Sequence, residues 1–100
     1  MTAVIELDEW LFVLVQKSQS SEQIIAQHDT EHDIRFIPAF KDRNTAQLGA
    51  GQLGIKLKYE IQAIIYEDLL QYAHRNRSLI MLLDSHGSPI LKIAPDGRTL

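Results

Sequence analysis

Tyr59–Leu83, YEIQAIIYEDLLQYAHRNRSLIMLL, decides the fold. Its first part, Tyr59 to Ile65 (YEIQAII), reads as a strand. From Tyr66 to Arg77 the period changes: Tyr66, Leu69, Leu70 and Ala73 stand at i, i+3, i+4 and i+7, one face of a helix. Glu67 and Asp68 occupy its first turn and His74, Arg75 and Arg77 its last, so charge complements the helix dipole at both ends. Leu79 to Leu83 is wholly apolar. A strand, a helix and a strand of these lengths make a right-handed βαβ crossover with both strands parallel in one sheet.

Downstream, Asp84-Ser85-His86-Gly87-Ser88 supplies a turn and Pro89 to Ile93 returns antiparallel, so the sheet is mixed. Pro95-Asp96-Gly97 makes one more turn, and Pro95–Leu100, like Met1–Glu9, is expected to be peripheral or loose. Upstream, Trp10 to Gln16 (WLFVLVQ) has the composition of a central strand covered on both faces. Ser20 with Gln23 matches a capping box, yet Ile24 and Ile25 alone make a poor helical stripe, and a short strand over Gln23 to Gln27 is the better reading. The polar run His28 to Asp33 then turns into a strand from Ile34 to Phe40. Pro38 cannot donate a ladder hydrogen bond, which places that strand at an edge or requires a bulge. Asp42 or Asn44 caps a short helix through Leu48; Gly49 and Gly51 each cost it about 1 kcal/mol relative to alanine and should fray it. The expected architecture is a single α/β domain of α+β type over residues 1–100, with a mixed sheet, a βαβ crossover from Tyr59 to Leu83 and one or two helices packed on it.

Composition narrows the functional classes. The 100 residues are 45% hydrophobic and 23% charged, ordinary for one domain with one core. The absence of cysteine removes disulfides, thiolate zinc sites and cysteine nucleophiles, and fits a reducing, cytoplasmic setting. No apolar stretch approaches the ~20 residues of a membrane span, and the N-terminus lacks the pattern of a secretory signal. A net charge of −3 argues against nucleic acid, whose phosphates call for clustered Lys and Arg. Up to Ile34 the acids Glu6, Asp8, Glu9, Glu22, Asp29, Glu31 and Asp33 face Lys17 alone. That asymmetry is either a solvated acidic face or a field that steers a partner.

Three short stretches carry a family resemblance. Phe36-Ile37-Pro38-Ala39-Phe40-Lys41-Asp42 is similar to a strand end of the form Val-Pro-Val-Phe-Thr followed by Ser or Asp. The helix start Tyr66-Glu67-Asp68-Leu69-Leu70, and Leu79 to Leu83 with its polar turn through Gly87, continue the likeness. Together they resemble the N-terminal domain of the SseB-like family, named for serine-sensitivity enhancement and associated with type III secretion. The likeness spans roughly Trp10 to Ile93. Lys41 departs from it, because the hydroxyl that could cap the following helix is lost. The resemblance implies a compact α/β accessory or interaction domain and supplies no catalytic residues.

The motifs with chemical potential fail on context. Gly49-Ala50-Gly51-Gln52-Leu53-Gly54 is a literal G-x-G-x-x-G, but a dinucleotide fingerprint joins a strand directly to a helix N-terminus. Here Lys41 to Leu48 intervene before it, and a strand-like segment follows, so a flexible glycine loop is the expected structure. His28 and His32 among Asp29, Glu31 and Asp33 would share a face only if helical, and they lack a third fixed ligand; a polar turn is expected, with no metal. Asp84, Ser85 and His86 are adjacent in sequence without the G-x-S-x-G context of an activated serine. Glu67 and Asp68 serve the helix dipole. Trp10, Phe12, Phe36, Phe40, Tyr59 and Tyr66 read as core, whereas Tyr72 falls off the helix face.

The function expected is therefore a non-catalytic accessory or protein-interaction domain, not an enzyme, with no cofactor and a protein as partner. That partner would add a strand at the Pro38 edge or lie against Tyr72, Arg75 and Arg77. The alternative is a small-ligand or anion sensor built on Gly49, Gly51 and Gly54 with Lys56, Lys58 or Arg43.

Overall fold

In the computed structural model, which describes residues 5–17 and 21–100, β1 (Trp10–Lys17) lies inside a seven-stranded mixed sheet. The chain continues through β2 (Glu22–Ile24), β3 (Gln27–Asp29), β4 (Ile34–Phe40), α1 (Arg43–Gln52), β5 (Glu60–Ile65), α2 (Tyr66–Asn76), β6 (Leu79–Leu83) and β7 (Pro89–Ile93). The α+β class read from the sequence is the class found. Alternation along the central strands sends side chains to two cores. Leu11, Val13 and Val15 join Ile37, Ala39, Ile80 and Leu82 beneath Tyr66, Leu69 and Ala73 of α2. Leu14 joins Phe40, Met81 and Leu83 beneath Ala46 and Ala50 of α1. One helix on each face explains why β1 and β6 are apolar throughout.

The crossover from Tyr59 to Leu83 is present, with an addition. β5 pairs antiparallel with β1, β1 with β4, and β4 parallel with β6. β5 and β6 thus run in the same direction in one sheet, but β1 and β4 lie between them. β5 is at one end of the sheet and β7, antiparallel to β6, at the other.

Pro38 requires a correction, because β4 is a central strand and no edge. Ile25 N–H donates to Leu14 O at 2.8 Å, so β1 residues of even number turn their backbone groups toward β2 and β4, and Phe12 forms the bonded pair with Phe40. On the same side of β4, Phe36 pairs with Gln27 of β3. Pro38 falls between the two, opposite Leu14, whose carbonyl Ile25 has already taken. The missing N–H lies where β4 changes partner from β3 to β1. The segment expected as one short strand over Gln23 to Gln27 is accordingly two, with its corner at Ile25 and Ala26 wedged between β1 and β4. Ser20, half of the capping box, lies outside the described residues.

The first helix also departs from expectation. Asp42 is its N-cap, with Oδ1 accepting from Thr45 N–H at 2.7 Å, but the helix continues past Leu48 to Gln52. Gly49 is buried, and a Cβ there would stand 2.5 Å from Phe40 Cε1 and 2.7 Å from Asp84 O. Glycine lets the helix lie directly on the sheet, and that packing outweighs its helix propensity. The described parts of the segments expected to be peripheral or loose are largely exposed and make backbone hydrogen bonds to the rest of the domain. Glu9 O and Leu7 O accept from Tyr66 N–H and Glu67 N–H, and Leu100 N–H donates to Lys92 O at 2.8 Å.

Candidate interaction surface

The two ends of the sheet expose different chemistry. Tyr66 N–H donates to Glu9 O at 2.8 Å, continuing the register in which Trp10 faces Ile65 and Val15 faces Glu60. Bonded and non-bonded pairs alternate in an antiparallel ladder, so Leu11 with Ile64, Val13 with Gln62 and Val15 with Glu60 exchange the hydrogen bonds. Ile61, Ala63 and Ile65 therefore turn N–H and C=O away from β1. Among the described residues no strand pairs with that side of β5. Arg43, from the first position of α1, places its guanidinium 5.3 Å from the centre of the Phe12 ring and donates to Ile61 O at 2.9 Å. Trp10, expected in the core, is 57% exposed beside Ile65, because it begins β1 beyond the reach of either helix. Ala63 is exposed as well.

β7, by contrast, is closed. Its first residue is Pro89, Lys92 lies within it, and Thr99 folds back to bridge Ile93. The turns that bracket it are held by carboxylates. Asp84 Oδ1 accepts from Ser88 N–H and His86 N–H, both at 2.9 Å, and these bonds hold its carboxyl below the usual range. Asp96 accepts from Arg98 N–H and is lowered for the same reason.

The residues singled out from the sequence are dispersed. Tyr72, half-buried against the α2-side core, borders a depression of about 270 Å³ with Val13, Val15, Ile24, Gln62 and Ile64. Arg75 borders a separate groove of about 490 Å³ with Leu70, Gln71, His74, Pro95 and Asp96. Arg77 is the left-handed C-cap of α2, with φ 52°. Gly49 and Gly51 are helical, so Gly49–Gly54 is not a flexible loop; Gly54, at φ +67°, follows the C-cap. The glycines thus sit at the C-terminal end of α1, where the dipole disfavours a phosphate. Lys56 and Lys58 are exposed just before β5.

The His28–Asp33 segment is a hairpin turn with two separate pairs: His28 Nε2 with Asp33 Oδ1 and His32 Nδ1 with Asp29 Oδ2, both 2.9 Å. Asp29, Glu31 and His32 each bring one potential ligand atom within 4.8 Å of the others, but both Asp29 oxygens already serve the turn. The carboxyl of Asp29 is lowered chiefly by His32.

Compared with protein-family models, with curated proteins and with solved structures, the chain matches none. No helix among the described residues is long and apolar enough to cross a membrane.

The β5 edge escaped the sequence reading. Tyr59 to Ile65 puts Tyr59, Ile61, Ala63 and Ile65 on one side of the pleat and Glu60, Gln62 and Ile64 on the other, a pattern that sorts faces and does not tell which backbone groups are paired. Trp10 heads an apolar run, and its exposure follows only from where the helices end.

Proposed function

We propose that this domain is a non-catalytic accessory module that binds a protein by accepting an extended segment along β5. The observation that supports this reading is the outward side of β5 beside the exposed Trp10, where no described strand takes the N–H groups of Ile61, Ala63 and Ile65 or the carbonyl of Ala63. Ile61 O is held by Arg43, and Ile65 O, at the N-cap of α2, by the helix. Main-chain hydrogen bonds supply affinity in strand addition, and neighbouring side-chain sites supply selectivity. The aromatic pair Trp10 and Phe12, with Arg43 stacked on the latter, offers an apolar anchor and a cation to the incoming segment. The resemblance to SseB-like domains, an accessory class, points the same way.

Affinity capture with quantitative mass spectrometry tests the reading, with the wild-type chain and Ala63→Pro as paired baits. The substitution removes one outward N–H and leaves the ladder with β1 intact. A stoichiometric protein held by the wild type and lost from the variant is the expected result. A partner retained equally by both places binding elsewhere on the domain.

A further inference from the structure

We infer that the segment accepted by β5 is β5 of a second copy of this chain, so that two sheets join across a two-fold axis through Ala63. This inference rests on the strand-addition reading above and names its partner. A two-fold axis perpendicular to the sheet preserves the two faces, so residues that meet must share a face and their numbers must sum to an even value. Centring on Ala63 satisfies this: Ala63 meets Ala63, Ile61 meets Ile65, and Gln62 meets Ile64. The outward residues Ile61, Ala63 and Ile65 then form the bonded pairs: Ala63 exchanges both backbone hydrogen bonds with its counterpart, and Ile65 N–H of each copy donates to Ile61 O of the other, Ile65 O being held in α2. A carbonyl has two lone pairs, so Ile61 O accepts from Ile65 of the second copy while keeping Arg43.

Charge distinguishes this partner from an arbitrary peptide. From Ile61 to Ile65 the strand has no charge, no proline and no bulge, and so lacks the usual devices that keep edges apart. Its flanks differ in sign: Lys56 and Lys58 precede it, Glu60, paired to Lys17 at 3.1 Å, stands between them and Ile61, and Glu67 and Asp68 follow in the first turn of α2. Antiparallel self-pairing about Ala63 brings the basic flank of each copy to the acidic flank of the other. Lys56, Lys58, Glu67 and Asp68 are exposed, and among the described residues none of the four has an ion-pair partner within its own chain. On the α1 face Ile65 meets Ile61, with the exposed Trp10 beside Ile65 and the Arg43 guanidinium at Ile61 O.

Sedimentation equilibrium and the emission of Trp10, the sole tryptophan, test the inference on the full chain. A species of twice 11.4 kDa is expected, with Trp10 emission shifting to the blue as it forms. Ala63→Pro raises the dissociation constant at least about tenfold. A charge exchange, which leaves the backbone of β5 untouched, provides an independent arm. Lys58→Glu weakens the dimer, and adding Asp68→Lys to it restores association. A species of 11.4 kDa at about 100 µM overturns the inference, as does a dimer indifferent to both Ala63→Pro and Lys58→Glu. A monomer that still loses a different captured protein on Ala63→Pro overturns only the self-pairing and keeps the strand-addition reading.

Discussion

The β5 and β7 ends of one sheet have been treated in opposite ways. β7 carries a proline, a lysine, two carboxylate-held turns and a bridging C-terminal segment; β5 has Arg43 on one carbonyl and the first turn of α2 on another, and otherwise presents its outward backbone groups to solvent. A sheet edge templates further pairing unless something blocks it. That difference is what the strand-addition proposal rests on, and it can be tested by disturbing each end separately.

The largest effect is expected from Ile64→Pro, next to the tolerated Ala63→Pro. Ile64 N–H points to Leu11, whose carbonyl is buried within the sheet, and losing that donor leaves the acceptor unpaired. A loss of about 1–3 kcal/mol follows from the orphaned group alone, and chemical denaturation measures it. Equal stabilities of the two proline variants would show that the outward and inward assignments along β5 are wrong.

Next in size is Gly49→Ala, which acts on the closed end. The added methyl group meets Phe40 and the carbonyl of Asp84, and through the latter pushes on the β6–β7 turn. Overpacking of this kind costs about 1–3 kcal/mol. Gly51→Ala is the matched control. It has open space at the same helix and should stabilise by about 0.5–1 kcal/mol. Thermal unfolding of the pair should move in opposite directions.

Removing Thr99 and Leu100 uncovers β7 and deletes the Leu100 to Lys92 hydrogen bond, at about 0.5–1.5 kcal/mol. With Pro89 and Lys92 still in place the shortened chain should associate no more than the parent in sedimentation. New association through β7 would mean that the bridging segment, and not those residues, keeps that edge apart.

The smallest effect is acid-induced. Asp84 and Asp96 have carboxyls lowered by backbone N–H groups in the fold. A group whose folded pKa is lowered contributes stability above its unfolded value, near 3.8, and loses it as pH falls through the folded value. Protection from amide exchange, relative to the intrinsic rate at each pH, should therefore fall at His86, Ser88 and Arg98 below about pH 4 before it falls at Gln62 and Ile64.

How much of this was legible beforehand depends on whether the deciding interaction is local. The helix Tyr66–Asn76 was legible because its face and its terminal charges lie within one segment, and the β6–β7 hairpin because Asp84 to Ser88 encode their own turn. The sites expected around Tyr72, Arg75 and Gly49–Gly54 were chosen from residue type, which does not say which depression a side chain borders. Gly49 looked like a helix breaker until Phe40 and Asp84, distant in sequence, were brought against it. Pro38 looked like an edge marker because the corner at Ile25 cannot be inferred from the residues around Pro38. Trp10 and the β5 edge depend on where two ladders and two helices stop.

The pairing of β1 with β5 carries a further consequence, for the order in which the domain assembles. Hairpins such as β3–β4 and β6–β7 close short loops, whereas Leu11 must find Ile64 across about 50 intervening residues, and long loop closure slows folding. β5 is therefore expected to dock after those hairpins, as is β6 on β4, where Phe36 must find Leu79 across about 40 residues. Until then the odd-numbered backbone groups of β1 are the open row. A chain in which β1 still waits for β5 offers that row to pairing with another chain.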